Sequence, residues 1–70
     1  MKRYVTIILN GDSRQLPGPV TVSELLAKLD IDPRRVAVEH NLVVVKRAEY
    51  GATTIGDGDA VEIVNFVGGG

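Results

Sequence analysis

A chain of 70 residues that contains no cysteine must fold on its apolar core alone. Domains of this size bury only about 60% of the surface that the unfolded chain exposes, so many of them depend on disulfides or a structural metal. Disulfides and thiolate zinc sites are excluded here, and His40 is the single histidine. Hydrophobic residues make up 44% of the chain, a balance typical of globular and not of disordered sequences. We therefore expect one small domain with no room for a deep catalytic cleft.

The charge and the first residues argue against several classes of partner. A formal net charge of −1 gives no basic footprint for a nucleic acid. The apolar run after Tyr4 is broken by Thr6 and ends at Asn10-Gly11, too early for a secretory signal or a membrane span. We expect a monomeric cytoplasmic domain that binds neither nucleic acid nor membrane.

The first third of the chain predicts a hairpin. Residues 4–9 are apolar and β-branched, and Asn10-Gly11 favours a type I′ turn because both central residues need a positive φ. A return strand is then expected over residues 13–16, and Pro17-Gly18-Pro19 ends the pairing because proline lacks the N–H that a ladder needs.

One amphipathic helix is predicted next. In Thr21-Val22-Ser23-Glu24, the spacing of Thr21 and Glu24 is that of a capping box, in which each side chain bonds the backbone N–H of the other residue. Apolar residues then recur at helical spacing and form one stripe: Val22, Leu25, Leu26 and Leu29. Such a stripe needs a sheet to cover.

The second half of the chain predicts three more strands. The last of them, residues 60–67, alternates so that Val61 and Ile63 share one face while Val64 and Phe66 share the other. The segments are a loop at 30–35, a strand at 36–38, a turn near His40-Asn41, a strand at 42–45, an irregular stretch at 46–54, a turn at 56–59 and the last strand. The predicted order is β-β-α-β-β-β, an α+β domain.

The glycine run Gly68-Gly69-Gly70 is the most informative feature for function. One interpretation is a frayed terminus, as chain ends often are. The other is a narrow thread without side chains, whose final carboxylate projects from a rigid body and can enter a channel closed to branched residues.

Other polar residues have simpler interpretations. Asp57 and Asp59 supply two carboxylates without further ligands at suitable spacing, so a turn is favoured over a metal site. His40 has no nearby nucleophile and is expected at the surface. Arg34 and Arg35 are typical of a solvated loop, with an acidic or phosphorylated partner as the alternative.

The order of elements and several motifs together resemble the ThiS family, the sulfur carriers of thiamin biosynthesis. The motifs are Asn10-Gly11, Thr21-Val22-Ser23-Glu24-Leu25-Leu26, Val38-Glu39-His40-Asn41, Asp57-Gly58-Asp59 and Val64-Asn65-Phe66-Val67-Gly68-Gly69-Gly70. The resemblance covers nearly the whole chain; Met1 to Tyr4 form an extension beyond the usual start. A terminal glycine pair alone is a weak signal, because other ubiquitin-like carriers share it.

The resemblance implies a β-grasp fold over residues 1–67 and a flexible tail over 68–70. A mixed sheet of four to five strands is then expected, with the first and last strands parallel and central and the helix across one face. The protein would be a carrier and not an enzyme, and would bind no cofactor itself. A ThiF-type partner would use ATP and magnesium to adenylate the carboxylate of Gly70, with Gly69 beside it. A sulfur donor such as a cysteine desulfurase would convert it to a thiocarboxylate, and thiazole synthase would take the sulfur.

A docking surface is expected beside the tail. Ile8, Val64 and Phe66 are predicted to face away from the helix and to form one exposed apolar patch that continues into Val67 and Gly68. The alternative is that Phe66 folds back and completes the core. Two other functions stay open: a sulfur carrier for molybdopterin or tRNA thiolation, and a non-covalent β-grasp interaction module.

Overall fold

The computed structural model describes residues 4–66. In this part of the chain, seven strands and one α-helix are joined by short connections that include two 3-10 turns. The elements are β1 (Val5–Leu9), β2 (Asp12–Leu16), β3 (Val20–Thr21), α1 (Val22–Lys28), a 3-10 turn (Pro33–Arg35), β4 (Val36–His40), β5 (Val43–Val45), a second 3-10 turn (Arg47–Glu49), β6 (Thr54–Ile55) and β7 (Ala60–Asn65).

The hairpin and the helix start are confirmed. Asn10 and Gly11 have φ values of 50° and 85°, as the type I′ turn requires, and β1 pairs antiparallel with β2. The capping box at the start of α1 is complete: the Thr21 hydroxyl accepts from the Glu24 N–H at 3.1 Å, and the Glu24 carboxylate accepts from the Thr21 N–H at 2.8 Å.

The main sheet has the order β2-β1-β7-β4-β5. β1 and β7 are parallel and adjacent, and every other pair in this sheet is antiparallel. The expected mixed sheet with one helix, and the parallel pairing of the first and last long strands, are therefore confirmed. The α-helical stripe and the inner faces of the strands form one core, whose fully buried members include Ile7, Val22, Leu25, Leu26, Val36, Val38, Ile55 and Val61.

A second, two-stranded sheet of β3 and β6 was not predicted. The helix start holds the chain just before β6 next to β3: the N–H groups of Val22 and Ser23 donate to the carbonyls of Thr53 and Tyr50. Tyr50 is 4% exposed and its hydroxyl donates to the Val36 carbonyl at 3.2 Å. The irregular segment 46–54 is thus fixed by one buried aromatic residue, which local sequence pattern does not reveal.

Candidate functional site

The last strand, β7, ends at the same end of the sheet at which its antiparallel neighbour β4 begins. Asn65 pairs with Val36, and the N–H of Phe66 donates to the carbonyl of Arg35 at 2.9 Å. The predicted site residues Val67, Gly68, Gly69 and Gly70 lie outside the described residues. Phe66, which precedes Val67 and the glycine run in the sequence, therefore lies next to the 3-10 turn that carries Arg34 and Arg35.

On the other side of β7, β1 pairs with Ala60 and Val61, and beyond them a side chain takes the place of the strand. β1 turns away at Asn10, whose Oδ1 accepts from the Ile63 N–H at 2.7 Å while its Nδ2 donates to the Ile63 carbonyl at 3.2 Å. An amide side chain has the same donor and acceptor groups as a peptide, so Asn10 extends the ladder by one position beyond β1. The sequence predicted Asn10 only as a turn residue and gave no signal of this contact.

Val64 and Phe66 form an exposed apolar surface at the end of the last strand. They are 59% and 56% exposed, so the expectation that Phe66 is exposed is confirmed and the alternative of a core position is wrong. Val64 pairs with half-buried Ala37 of β4, which adds a small apolar neighbour on the same face. We call Val64, Phe66 and Ala37 the tail-side apolar surface.

The expectation that Ile8 continues this surface is wrong. Ile8 is exposed at 42%, but the parallel register pairs it with Ala60, four residues before Val64 along β7. At about 3.3 Å per residue, that separation is about 13 Å. Glu62 lies between them on the same face, because it alternates with buried Val61. Period-two alternation predicted the correct face, whereas the register that decides neighbours is a long-range property.

The turn before β7 uses its two aspartates for structure. Asp57 Oδ1 accepts from the Thr6 N–H at 2.7 Å, and Asp59 Oδ2 accepts from the Gly56 N–H at 2.9 Å and from His40 Nε2 at 2.7 Å. His40, which was expected at the surface, is only 20% exposed. The hydrogen bond from the Gly56 N–H, with a further one from His40, lowers the pKa of Asp59 below its usual value.

We expect Asp59→Asn to lower the free energy of unfolding at pH 7 by about 1 kcal/mol, because a neutral amide accepts these hydrogen bonds less strongly. Since the pKa of Asp59 is lowered on folding, its ionised form stabilises the protein above about pH 4, and this contribution is lost as the pH falls further. Urea denaturation between pH 2 and 7 measures both effects. Asp12→Asn, at an exposed strand carboxylate, controls for net charge. A steeper loss of stability in acid for Asp59→Asn than for the parent would contradict the stabilising role of the ionised Asp59 carboxylate.

The described residues contain no group of three or more His, Cys, Asp or Glu side chains that could hold a metal ion. No helix in this part of the chain is long and apolar enough to cross a membrane.

A helix across one face of a mixed sheet, with parallel neighbouring first and last strands, defines a ubiquitin-like β-grasp domain. The comparisons with known proteins identify the family within this class. The sequence model of the ThiS family matches residues 7–70, and the chain belongs to that family.

Solved and curated relatives agree with this assignment. The crystal structure of the thiamine biosynthesis protein ThiS from Geobacter metallireducens superposes with a TM-score of 0.83 at 39% identity, covering 94% of this chain and all of that one. The sulfur carrier protein ThiS of Bacillus subtilis is 38% identical over 63 residues, which are 89% of this chain and 96% of that protein.

A thiazole synthase is also among the relatives. The protein of that name from Paramagnetospirillum magneticum is 44% identical over 64 residues, which are 91% of this chain but 20% of the synthase. A thiazole synthase from Magnetococcus marinus matches in the same way at 42% identity, so this chain spans about a fifth of the length of these two relatives.

Proposed function

We propose that this protein is a sulfur carrier of thiamine biosynthesis and that its reactive group is the carboxylate of Gly70. The observation that carries the proposal is the family match, which runs from residue 7 through the glycine run to residue 70. The likeness to a sulfur carrier protein over 96% of that protein's length supports the same conclusion.

The chemistry requires activation because a carboxylate resists attack by a nucleophile. In the proposed reaction, the Gly70 carboxylate attacks the α-phosphorus of ATP on a ThiF-type enzyme, pyrophosphate leaves, and an acyl adenylate forms. A persulfide sulfur from a donor such as a cysteine desulfurase then attacks the acyl carbon and displaces AMP, which leaves an acyl disulfide to the donor. A second thiol attacks the donor's sulfur in this disulfide, releases the thiocarboxylate on Gly70 and forms a disulfide with the donor. Glycine suits this step because no side chain hinders the carbonyl carbon. ATP and magnesium belong to the activating partner, and the carrier is a substrate of these enzymes.

Thiazole synthase is the proposed acceptor. Its support comes from the two relatives named thiazole synthase, in which a segment similar to this chain makes up about a fifth of the protein. A carrier segment joined to the synthase has a high effective concentration at the enzyme's active site, as expected if sulfur passes between the two.

The experiment that tests the function combines this chain with its candidate partners. Purified chain, ThiF-type enzyme, ATP, magnesium, a persulfide donor and a thiol reductant are expected to give an intact mass in which one oxygen is replaced by sulfur. Addition of thiazole synthase together with the carbon substrates of the thiazole ring should return the mass to that of the carboxylate. Sulfur transfer to a molybdopterin precursor or to tRNA instead would assign the carrier to those pathways. An unmodified chain that still binds a partner would favour an interaction module.

We further propose that the tail-side apolar surface docks on the adenylating enzyme, with Val67 and Gly68 as the first residues to enter its channel. The support is the position of exposed Val64 and Phe66 at the end of the strand that leads into the glycine run. Ile8, about 13 Å further along the sheet, is a separate candidate contact.

Phe66→Ala tests this docking surface. We expect the KM for adenylation to rise about tenfold, because exposed aromatic residues are frequent hot spots of interfaces, while the free energy of unfolding changes by less than about 1 kcal/mol. Steady-state AMP formation and thermal unfolding measure the two quantities. Val43→Ala is the matched control, since it removes an exposed apolar side chain of β5 that lies beside His40, away from the end of the last strand. An unchanged KM for Phe66→Ala would remove this residue from the interface, and a loss of about 3 kcal/mol would assign it to the core.

A further inference from the structure

Four basic side chains gather around the end of the last strand. Arg34 and Arg35 lie in the 3-10 turn before β4, and the Arg35 carbonyl accepts from the Phe66 N–H at 2.9 Å. Arg47 Nη2 donates to the Arg34 carbonyl at 3.4 Å. Lys46 follows Val45, which pairs with Val38, so it lies beside Ala37 of the tail-side apolar surface. We call Arg34, Arg35, Lys46 and Arg47 the tail-side cationic surface.

Within residues 4–66, these charges are separated from the other basic residues. Among residues 4–66 the other basic residues are Arg14 and Lys28, which line a groove between β2 and α1 at the opposite edge of the sheet. The whole chain carries a net charge of −1, so a concentration of positive charge at one end is a local feature and not a consequence of overall composition.

Most of this positive charge is not neutralised within the described residues. Asp32 forms a close ion pair with Arg34, at 3.0 Å between Oδ2 and Nη2, but Arg35 Nε lies 4.0 Å from the same oxygen. The side chain of Arg35 is 82% exposed. Lys46 and Arg47 form no ion pair with any residue between 4 and 66, and both are exposed. The surface therefore presents about three positive charges to a partner.

The remainder of the open sheet face has the opposite sign. Glu39 and Glu62 are directly paired across β4 and β7, and they lie between the tail end of the face and Ile8. Two neighbouring carboxylates repel a polyanion that lies along the face, because charges of the same sign repel each other. A nucleic acid would meet this acidic pair, whereas a protein can present an acidic group at the tail end alone.

We infer that the tail-side cationic surface docks on acidic side chains that border the entrance of the channel in the adenylating enzyme. This inference rests on the proposed function, and it adds the charge of the partner's surface. The cations flank the apolar contact on Val64 and Phe66, an arrangement of apolar centre and charged rim that is common in protein interfaces. Charged rims mainly accelerate association and fix orientation, so their loss weakens binding at low salt.

The test is the double variant Arg35→Glu/Lys46→Glu, with Arg14→Glu/Lys28→Glu as a control of equal charge change at the opposite edge. For the ThiF-type enzyme at low ionic strength, we expect the first variant to raise the KM of adenylation at least tenfold with kcat unchanged, which is about 1.4 kcal/mol in binding free energy. The difference in KM between this variant and the parent should shrink at high salt, because salt screens the charges. The control should change KM less than threefold. Thermal unfolding checks that both variants fold.

The possible failures are distinguishable. If the parent chain is adenylated and both double variants have the KM of the parent, the inference is overturned and the proposed function stays intact. An equal rise of KM in both would assign the effect to net charge and would also overturn it. Binding of bulk tRNA by the parent, lost in Arg35→Glu/Lys46→Glu while adenylation is unchanged, would assign the surface to nucleic acid instead. A parent chain that is never adenylated would contradict the proposed function itself.

Discussion

Deletion of Gly70 is expected to abolish ATP-dependent AMP formation by a ThiF-type enzyme while the domain stays folded. The proposed reaction activates one carboxylate, and the deletion moves that group one residue, about 3.5 Å, back from the reacting phosphorus. Reacting atoms must approach within about 3.5 Å, so a displacement of this size removes the productive geometry. Pyrophosphate release measures the first step, and thermal unfolding shows that the core of residues 4–66 is unchanged.

The control keeps the length of the tail and changes only its last group. A semisynthetic chain with a Gly70 carboxamide retains every residue but has no carboxylate, and it should be equally inactive. Gly69→Val keeps the carboxylate and adds a branched side chain beside it. This variant should bind the ThiF-type enzyme poorly and should unfold at the same temperature as the parent. AMP formation from the carboxamide at the parent rate would contradict the carrier mechanism.

Asn10→Ala is expected to destabilise the domain by about 2 to 3 kcal/mol. The substitution removes both hydrogen bonds to Ile63, at 2.7 and 3.2 Å, each worth about 1 kcal/mol. It also places a Cβ without a compensating side chain at a φ of 50°, which costs about 1 kcal/mol more. Urea denaturation measures the change. Adenylation per folded molecule should be retained, because the side-chain hydrogen bonds of Asn10 within residues 4–66 are with Ile63 of β7.

Two further variants separate these causes. Asn10→Gly tolerates the positive φ and loses only the hydrogen bonds, so it should destabilise less than Asn10→Ala, by about 1 to 2 kcal/mol. Asn10→Asp keeps the acceptor for the Ile63 N–H and loses the donor to its carbonyl. Equal stabilities for the alanine variant and the parent would show that the Asn10 side chain does not hold β7.

Much of the fold follows from the sequence because its signals are local. The Asn10-Gly11 turn, the Thr21 to Glu24 capping box and the helical stripe each depend on residues within a few positions of one another, and the structure confirms all three. Alternation in the last strand likewise predicted that Val61 is buried and that Val64 and Phe66 are exposed. The ThiS resemblance, which depends on motifs spread along the whole chain, predicted the parallel pairing that local pattern could not. The family match confirms the resemblance, and the register of β1 and β7 confirms the pairing.

The sequence by itself determined the helix, the longer strands, their faces and the resemblance to the family. The tertiary structure decided the small sheet of β3 and β6 and which residues are neighbours across the elements. The register of β1 against β7 places Ile8 beside Ala60 and far from Val64, and it brings Asn10 onto Ile63. Lys46 and Arg47 lie near Arg34 and Arg35 only because β5 pairs with β4. The buried Tyr50 holds the segment that follows β5. These contacts depend on how distant strands align, and that alignment is set by the packing of the whole core and not by the pattern within any one segment.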